Sequence, residues 1–298
     1  APKEVVNALV TLYHQGKFLL ILEKEKQFVS LYQDSIDILN IFGSTNIALQ
    51  NYKKAITNFN KAIRINPNVP TIYYNLGLAY HHIGNMDDAI ENYKKAIDLK
   101  PDYDEAFCNM GISLEEKGDI EGAIEKYNKV LATNPKHAGA YYNLGNVFRS
   151  KDNLILAIEN YNRAISIKPD YAEAYNNMGI ALKDQGKLEK AIEAYTKAIS
   201  LKPSYGGAYN NMGNALKDLG KLGEAAEAYT KALSLNPDYA PARYSLALLL
   251  YQMGKYKEAA SHFSKNGSSI SQTWLMKCLY ELNNKSHFYE KNLEKLLH

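Results

Sequence analysis

The stretch AEAYNNMGIALKDQGKLEKAIEAYTKAISLKPSY (residues 172–205) decides the fold of this chain. Its apolar residues recur at helical spacing on both sides of Gly186, and Pro203 near its end cannot continue a helix. The stretch therefore predicts a hairpin of two helices joined by a turn at Gly186.

The same pattern repeats along the chain with a period of 34 residues. Glycines of the first helix recur at Gly43, Gly77, Gly111, Gly145, Gly179 and Gly213, and turn glycines at Gly84, Gly118, Gly186, Gly220 and Gly254. The second helix repeats an aromatic residue at Tyr93, Tyr127, Tyr161, Tyr195, Tyr229 and Phe263. Small residues let helices approach closely and a large ring fills the remaining groove, so this pattern predicts helix packing.

The combination of an aromatic residue, Leu-Gly or Met-Gly, alanine, tyrosine, alanine and proline in a 34-residue unit resembles the tetratricopeptide repeat. The resemblance implies an all-α fold, a right-handed superhelical solenoid of helix-turn-helix repeats. It covers residues 36–267, which we interpret as seven repeats. Pairs such as Asp102 with Glu105 and Asp170 with Glu173 predict capping boxes for the first helices.

The two ends of the chain depart from the repeat signature. Residues 2–35 keep Tyr13 and Gly16 in register and are expected to form a divergent first repeat. Residues 268–298 are expected to form two amphipathic capping helices, which cover the last apolar face of a stacked array. We therefore predict one solenoid domain over residues 1–298.

Composition narrows the function classes. Thirty-five Lys plus Arg against 32 Asp plus Glu give a net charge of +3, which is too small to attract nucleic acid or a membrane by net charge. Cys108 and Cys278 are expected to be buried thiols. No apolar run of transmembrane length and no signal-peptide pattern occurs, so a cytoplasmic protein is expected.

One face of the first helices carries a repeated asparagine, at Asn75, Asn109, Asn143, Asn177 and Asn211. A side-chain amide offers both a donor and an acceptor, as a peptide backbone does. This asparagine ladder is similar to that of the O-linked N-acetylglucosamine transferases, whose Asn-Leu/Met-Gly-Asn motif recurs here ending in Asn146 and Asn214. That resemblance implies a concave groove for extended peptides. The alternative is that duplicated repeats carry the asparagines without a binding role.

Charged residues flank the ladder. Arg149, Lys183 and Lys217 fall one per repeat, whereas the preceding repeat offers Glu105, Glu115 and Glu116. A groove that is basic in one half and acidic in the other would orient a peptide, and the alternative is solvated helix surface.

The sequence contains no recognisable catalytic chemistry. None of the seven histidines pairs with a Cys or another His at metal-binding spacing, and no nucleophile, phosphate-binding or dinucleotide motif occurs. We therefore expect no enzyme activity, no cofactor and no metal.

These observations predict a non-catalytic scaffold that binds a partner protein or an extended peptide through the asparagine ladder. One alternative is the substrate-recruiting region of a larger enzyme of the glycosyltransferase, sulfotransferase or oxygenase type. Another is a scaffold that self-associates through its terminal repeats.

Overall fold

The structure, a computed structural model, describes residues 1–265 and 268–297, with side-chain surroundings given through residue 284. The regular structure of these residues is helical. The helices are α1 (Lys3–His14), α2 (Phe18–Glu23), α3 (Glu25–Leu31), α4 (Ile36–Ala48), α5 (Tyr52–Ile65), α6 (Pro70–His82), α7 (Met86–Leu99), α8 (Asp104–Glu116), α9 (Ile120–Thr133), α10 (Ala138–Ser150), α11 (Leu154–Ile167), α12 (Ala172–Asp184), α13 (Leu188–Leu201), α14 (Gly206–Asp218), α15 (Leu222–Leu235), α16 (Ala240–Gln252), α17 (Tyr256–Ser264) and α18 (Ser269–Leu297). Among these helices, none is both long and apolar enough to cross a lipid bilayer.

The turns between paired helices lie where the sequence predicts them. Gly186 has a φ of 75° between α12 and α13, and the other turn glycines also lie in the left-handed region. Two repeats lack a glycine here, and Gln50 and Asp152 take the same conformation with φ values of 60° and 58°. The backbone therefore needs this conformation, and glycine is the residue that adopts it at least cost.

Glycine inside a first helix makes room for the aromatic ring of the second. A Cβ added to Gly179 would lie 2.6 Å from Cε1 of Tyr195, a ring that is fully buried. The same relation joins Gly77 to Tyr93, Gly111 to Tyr127 and Gly213 to Tyr229. These contacts confirm that the repeated tyrosines of the second helices are packing residues.

The predicted capping boxes are wrong. Helices α8 and α12 begin after Tyr103 and Tyr171, without a capping hydrogen bond from either side chain. Glu173 forms an ion pair with Lys202 at 2.9 Å instead. Side-chain caps occur at the second helices, where Asn85, Asp119 and Asn153 accept from the backbone N–H three residues later. The error has a simple cause, because Asp102 and Asp170 each lie one residue too early to cap the helix.

The chain forms two compact units, residues 1–147 and residues 148–298, which divide within α10. In the first unit, α4 to α9 pack in chain order, each against the next, and α11 to α18 do the same in the second. The core of each unit is an alternation of buried alanines and rings, such as Ala89 with Tyr93 and Ala191 with Tyr195. The single domain predicted over residues 1–298 stays a prediction.

The amino-terminal segment keeps the hairpin plan in altered form. Helix α1 packs on α4, but the second helix is divided at Lys24 into α2 and α3. Leu9 and Ile21 are buried with Phe42 of α4, in a cluster separate from the neighbouring one around Phe59. Leu9 and Ile21 stand where the regular repeats have glycine and alanine, and Glu25 stands where they have the aromatic residue.

The carboxyl-terminal segment differs from its prediction. The two expected capping helices are a single helix, α18, since residues 269–297 contain neither glycine nor proline to end a helix. Trp274 stacks on Phe263 at 6.1 Å, and Cys278 is fully buried against α17 and α16. The side chains of Phe288, Leu293 and Leu296, which were expected to form the second of these helices, lie outside the described residues. Both cysteines are buried free thiols, as predicted.

Candidate peptide-binding face

In the first unit, two ladder amides bridge successive first helices. Asn75 on α6 donates from Nδ2 to Asn40 Oδ1 at 2.9 Å and to Ser44 Oγ at 3.4 Å, both on α4. Asn109 on α8 donates to the hydroxyl of Tyr74 on α6 at 2.9 Å. Both asparagines are half-buried. Each amide is therefore held in place by the hairpin before it.

Asn143 on α10 differs from Asn75 and Asn109 because the residue at the acceptor position on α8 is a poor hydrogen-bond acceptor. Cys108 occupies the position that Asn40 and Tyr74 hold in earlier repeats, and a thiol is a weak acceptor. Burial, aided by Asp104 and Glu105, raises the pKa of this thiol to about 12, so it stays protonated. Among the described residues, the structure gives the half-buried Asn143 no side-chain hydrogen bond.

In the second unit, the amides form a short relay. Asn211 on α14 donates to Asn176 Oδ1 on α12 at 3.0 Å, and Asn176 Nδ2 in turn donates to Asn177 Oδ1 at 3.0 Å. Asn176 is buried, whereas Asn177 and Asn211 are half-buried.

The acceptors of these bonds were missed in the sequence analysis. Asn40, Tyr74 and Asn176 each occupy the repeat position immediately before that of the ladder asparagine, which places each of them 35 residues before its donor. The available signal was a polar or aromatic residue at this position in several repeats, as in Asn40, Tyr74, Tyr142 and Asn176.

Asn214, predicted as part of the site, also supports the core. Its Oδ1 accepts a 2.8 Å hydrogen bond from the hydroxyl of Tyr229. The Tyr229 ring is buried, and desolvation is the main reason that the pKa of its hydroxyl is raised to about 12. In the preceding repeat, Ile180 occupies the position of Asn214. The hydroxyl of Tyr195 there is buried without a hydrogen-bond partner among the described residues. Asn146 lies at the same repeat position on α10 and is half-buried.

Two of the three predicted cations of the second unit, Lys183 and Lys217, lie next to carboxylates. Lys183 Nζ is 3.6 Å from Asp184 and 3.9 Å from Asp218 on the following first helix. Lys217 Nζ is also 3.9 Å from Asp218. Arg149 is half-buried, and its Nε is buried without a hydrogen-bond partner among the described residues. The aspartates offset part of the positive charge that the sequence predicts for this half.

The predicted carboxylates of the first unit are spread along α8. Glu116 lies 3.6 Å from His81 Nε2, and His81 Nδ1 is 3.0 Å from the buried hydroxyl of Ser113. Glu115 accepts a hydrogen bond from Tyr127, but desolvation outweighs that bond and raises the pKa of the carboxyl. Glu105 is exposed. This face is therefore acidic where α8 contributes to it.

No group of three or more His, Cys, Asp or Glu side chains in the described part of the chain is arranged to hold a metal ion.

Comparison with protein families finds one repeat type along the chain. A model described as TPR repeat matches residues 43–84, 113–152, 145–186 and 213–254, and one described as tetratricopeptide repeat matches residues 70–103 and 172–205. Comparison with curated protein sequences finds no match.

Solved structures share the arrangement of helices. A tetratricopeptide repeat protein from Parabacteroides merdae is 19% identical with a TM-score of 0.63, over 83% of this chain and 99% of that one. The Cut9–Hcn1 structure of the APC/C is 17% identical with a TM-score of 0.65, and the match covers 91% of this chain and 55% of that one. MamA is 34% identical with a TM-score of 0.49, over 55% and 96%. The first two likenesses show a shared fold.

Proposed function

This chain belongs to the tetratricopeptide repeat family, and we propose that it is a non-catalytic protein-interaction scaffold that binds an extended peptide along its first helices. One observation carries the proposal. Half-buried side-chain amides recur at a single position of successive first helices, and several are oriented by a hydrogen bond to the first helix of the preceding repeat. We further propose that the protein acts in the cytoplasm.

The hydrogen-bonding capacity of these amides suits a peptide backbone. Asn109 and Asn211 each donate one side-chain N–H to the first helix of the preceding repeat, which leaves a second N–H and the Oδ1 available to a ligand. That pair complements the C=O and N–H of a peptide unit. Because the amide is already held in place, binding sacrifices little side-chain entropy.

The charged residues would set the preference for ligand side chains within each unit. In the first unit, the carboxylates Glu105, Glu115 and Glu116 favour basic ligand residues near α8. In the second unit, Arg149 has the least compensated charge of the predicted cations, since Lys183 and Lys217 share aspartate partners. Acidic ligand residues are therefore favoured near Arg149.

The test begins with peptides selected from a random display library against the whole chain, and it measures their affinities by fluorescence anisotropy. Asn143→Ala is the informative variant because this side chain has no hydrogen bond to lose within the part of the chain that the structure describes. We expect about fivefold weaker binding, the effect of one hydrogen bond worth about 1 kcal/mol. Asn128→Ala is the matched control, since Asn128 is an exposed asparagine on the second helix α9.

Chemically altered probes separate backbone recognition from side-chain recognition. Replacing single amide bonds of a selected peptide by esters removes one N–H at a time and is expected to weaken binding at the register of the ladder. Equal affinity of Asn143→Ala and wild type, together with full tolerance of the esters, would contradict the proposal.

A further inference from the structure

A second surface lies on the other side of α12 from the ladder. Helices α11 and α13 form the walls of a cavity of about 420 Å³, and α12 forms its floor. Met178 and Leu182 on α12 and Ile158 on α11 supply apolar surface there. At 100° per residue, Met178 and Leu182 point well away from Asn177, so this cavity is separate from the proposed peptide-binding face.

The rim of this cavity has an excess of uncompensated positive charge. Lys187, Lys190 and Lys197 are exposed on or beside α13, and among the described residues none of their ammonium groups forms an ion pair. Glu193 is the one carboxylate of the lining. By contrast, Lys202, a few residues on, is paired with Glu173.

The following repeat has the same apolar residues but different charges. Met212 and Leu216 on α14 replace Met178 and Leu182, and Lys221 and Lys231 replace two of the three lysines. Glu224 stands where the earlier repeat has Lys190, and it pairs with Lys221 at 3.3 Å. The positive excess is therefore absent from the following groove. A similar excess occurs between α3 and α5, where Lys54 and Lys61 occupy the repeat positions of Lys190 and Lys197.

We propose that this cavity binds a segment of a partner protein in which one large apolar side chain is flanked by carboxylates. Its volume lies within the range of about 300–1,000 Å³ that is typical of ligand pockets, and its floor is apolar. The three unpaired lysines at the rim complement carboxylates on both sides of the inserted side chain. A nucleic acid fits less well, because Glu193 interrupts the positive rim and a phosphate backbone offers no apolar side chain for the floor.

The probe is a short fluorescein-labelled peptide that carries a single phenylalanine with two glutamates on each side, and binding is followed by anisotropy at low salt. The combined variant Lys187→Gln, Lys190→Gln and Lys197→Gln is expected to weaken binding by at least about fivefold, from three exposed ion pairs. Lys221→Gln with Lys231→Gln is the matched control, with a change of less than about twofold expected. Circular dichroism confirms that both variants fold.

Four outcomes would overturn the proposal. These are no binding of the probe, equal weakening by the control variant, undiminished binding of a probe with glycine in place of phenylalanine, and tighter binding of a single-stranded polynucleotide that competes with the peptide. Absence of binding would show that the cavity is not a site for this ligand. Equal weakening by the control variant, or undiminished binding of the glycine probe, would show unspecific charge attraction. Competition by a tighter-binding polynucleotide would show that the site binds nucleic acid.

Discussion

A glycine inside a helix is unfavourable by itself, since it costs about 0.5–1 kcal/mol relative to alanine. Gly179 and its equivalents occupy such positions because a ring of the second helix lies directly against the backbone. The ring of Tyr195 is fully buried and excludes water from this contact. The cost of the glycine is thereby offset by the burial of an aromatic side chain.

Gly179→Ala should destabilise the protein by about 1–3 kcal/mol, because the new methyl group would overlap the ring of Tyr195. Gly223→Ala is the matched control, a helical glycine of α15 with no atom within 4 Å of an added Cβ, and it should stabilise by up to about 1 kcal/mol. Urea unfolding followed by circular dichroism measures both. Equal effects of the two substitutions would contradict this account of the repeated glycine.

How far single residues were predictable depends on the distance of their partners along the chain. The contact of Gly179 with Tyr195 lies within one hairpin, so helical spacing was enough to predict it. The partner of Asn211 is Asn176, one repeat earlier, and only the packing of one hairpin on the next brings the two together. The cavity beside Met178 likewise depends on two hairpins and was not predicted.

At the scale of a helix, the second helices differ in how they begin. The side chain of Asp119 accepts from the N–H of Gly122 at the start of α9. The residue at the same place before α17 is Lys255, which makes no capping hydrogen bond. Local hydrogen bonding at the first turn therefore stabilises some second helices and not others.

Asp119→Ala should destabilise the protein by about 1 kcal/mol, through loss of the cap and of a negative charge at the helix amino terminus. Lys255→Ala serves as the control and should change stability by less than about 0.5 kcal/mol, because no cap is lost. Differential scanning calorimetry compares the two variants with the wild type. A loss as large in Lys255→Ala would show that the hydrogen bond of Asp119 is not the cause.

Helix ends also limited what the sequence could predict. Glycine and proline mark the turns of the regular repeats, and those turns were predicted correctly. Residues 269–297 carry no such marker, and two amphipathic segments merge into the single helix α18. Lys24 divides the second helix of the first repeat without glycine or proline, and nothing in the hydrophobic pattern predicted that division.

At the scale of the whole molecule, stability should vary along the chain, because within each compact unit a hairpin contacts mainly its neighbours. The central second helices bury several alanines and a ring each, as α13 does with Ala191, Ala198 and Tyr195. Helix α18 exposes Ile270, Met276 and Tyr280, each at 60% or more. Local unfolding should therefore begin around α18.

The single tryptophan provides a direct measurement of this difference. Trp274 lies on α18, 5.2 Å from the ring of Tyr251 and 6.1 Å from that of Phe263, so its fluorescence reports the contact of α18 with α16 and α17. We expect its transition in urea at a lower midpoint than the transition of the far-ultraviolet circular dichroism, which averages all helices. Gly223→Ala should raise the circular dichroism midpoint and move the fluorescence midpoint less, since α15 lies further along the stack. Coincident transitions in both proteins would instead show that α18 unfolds cooperatively with the central hairpins.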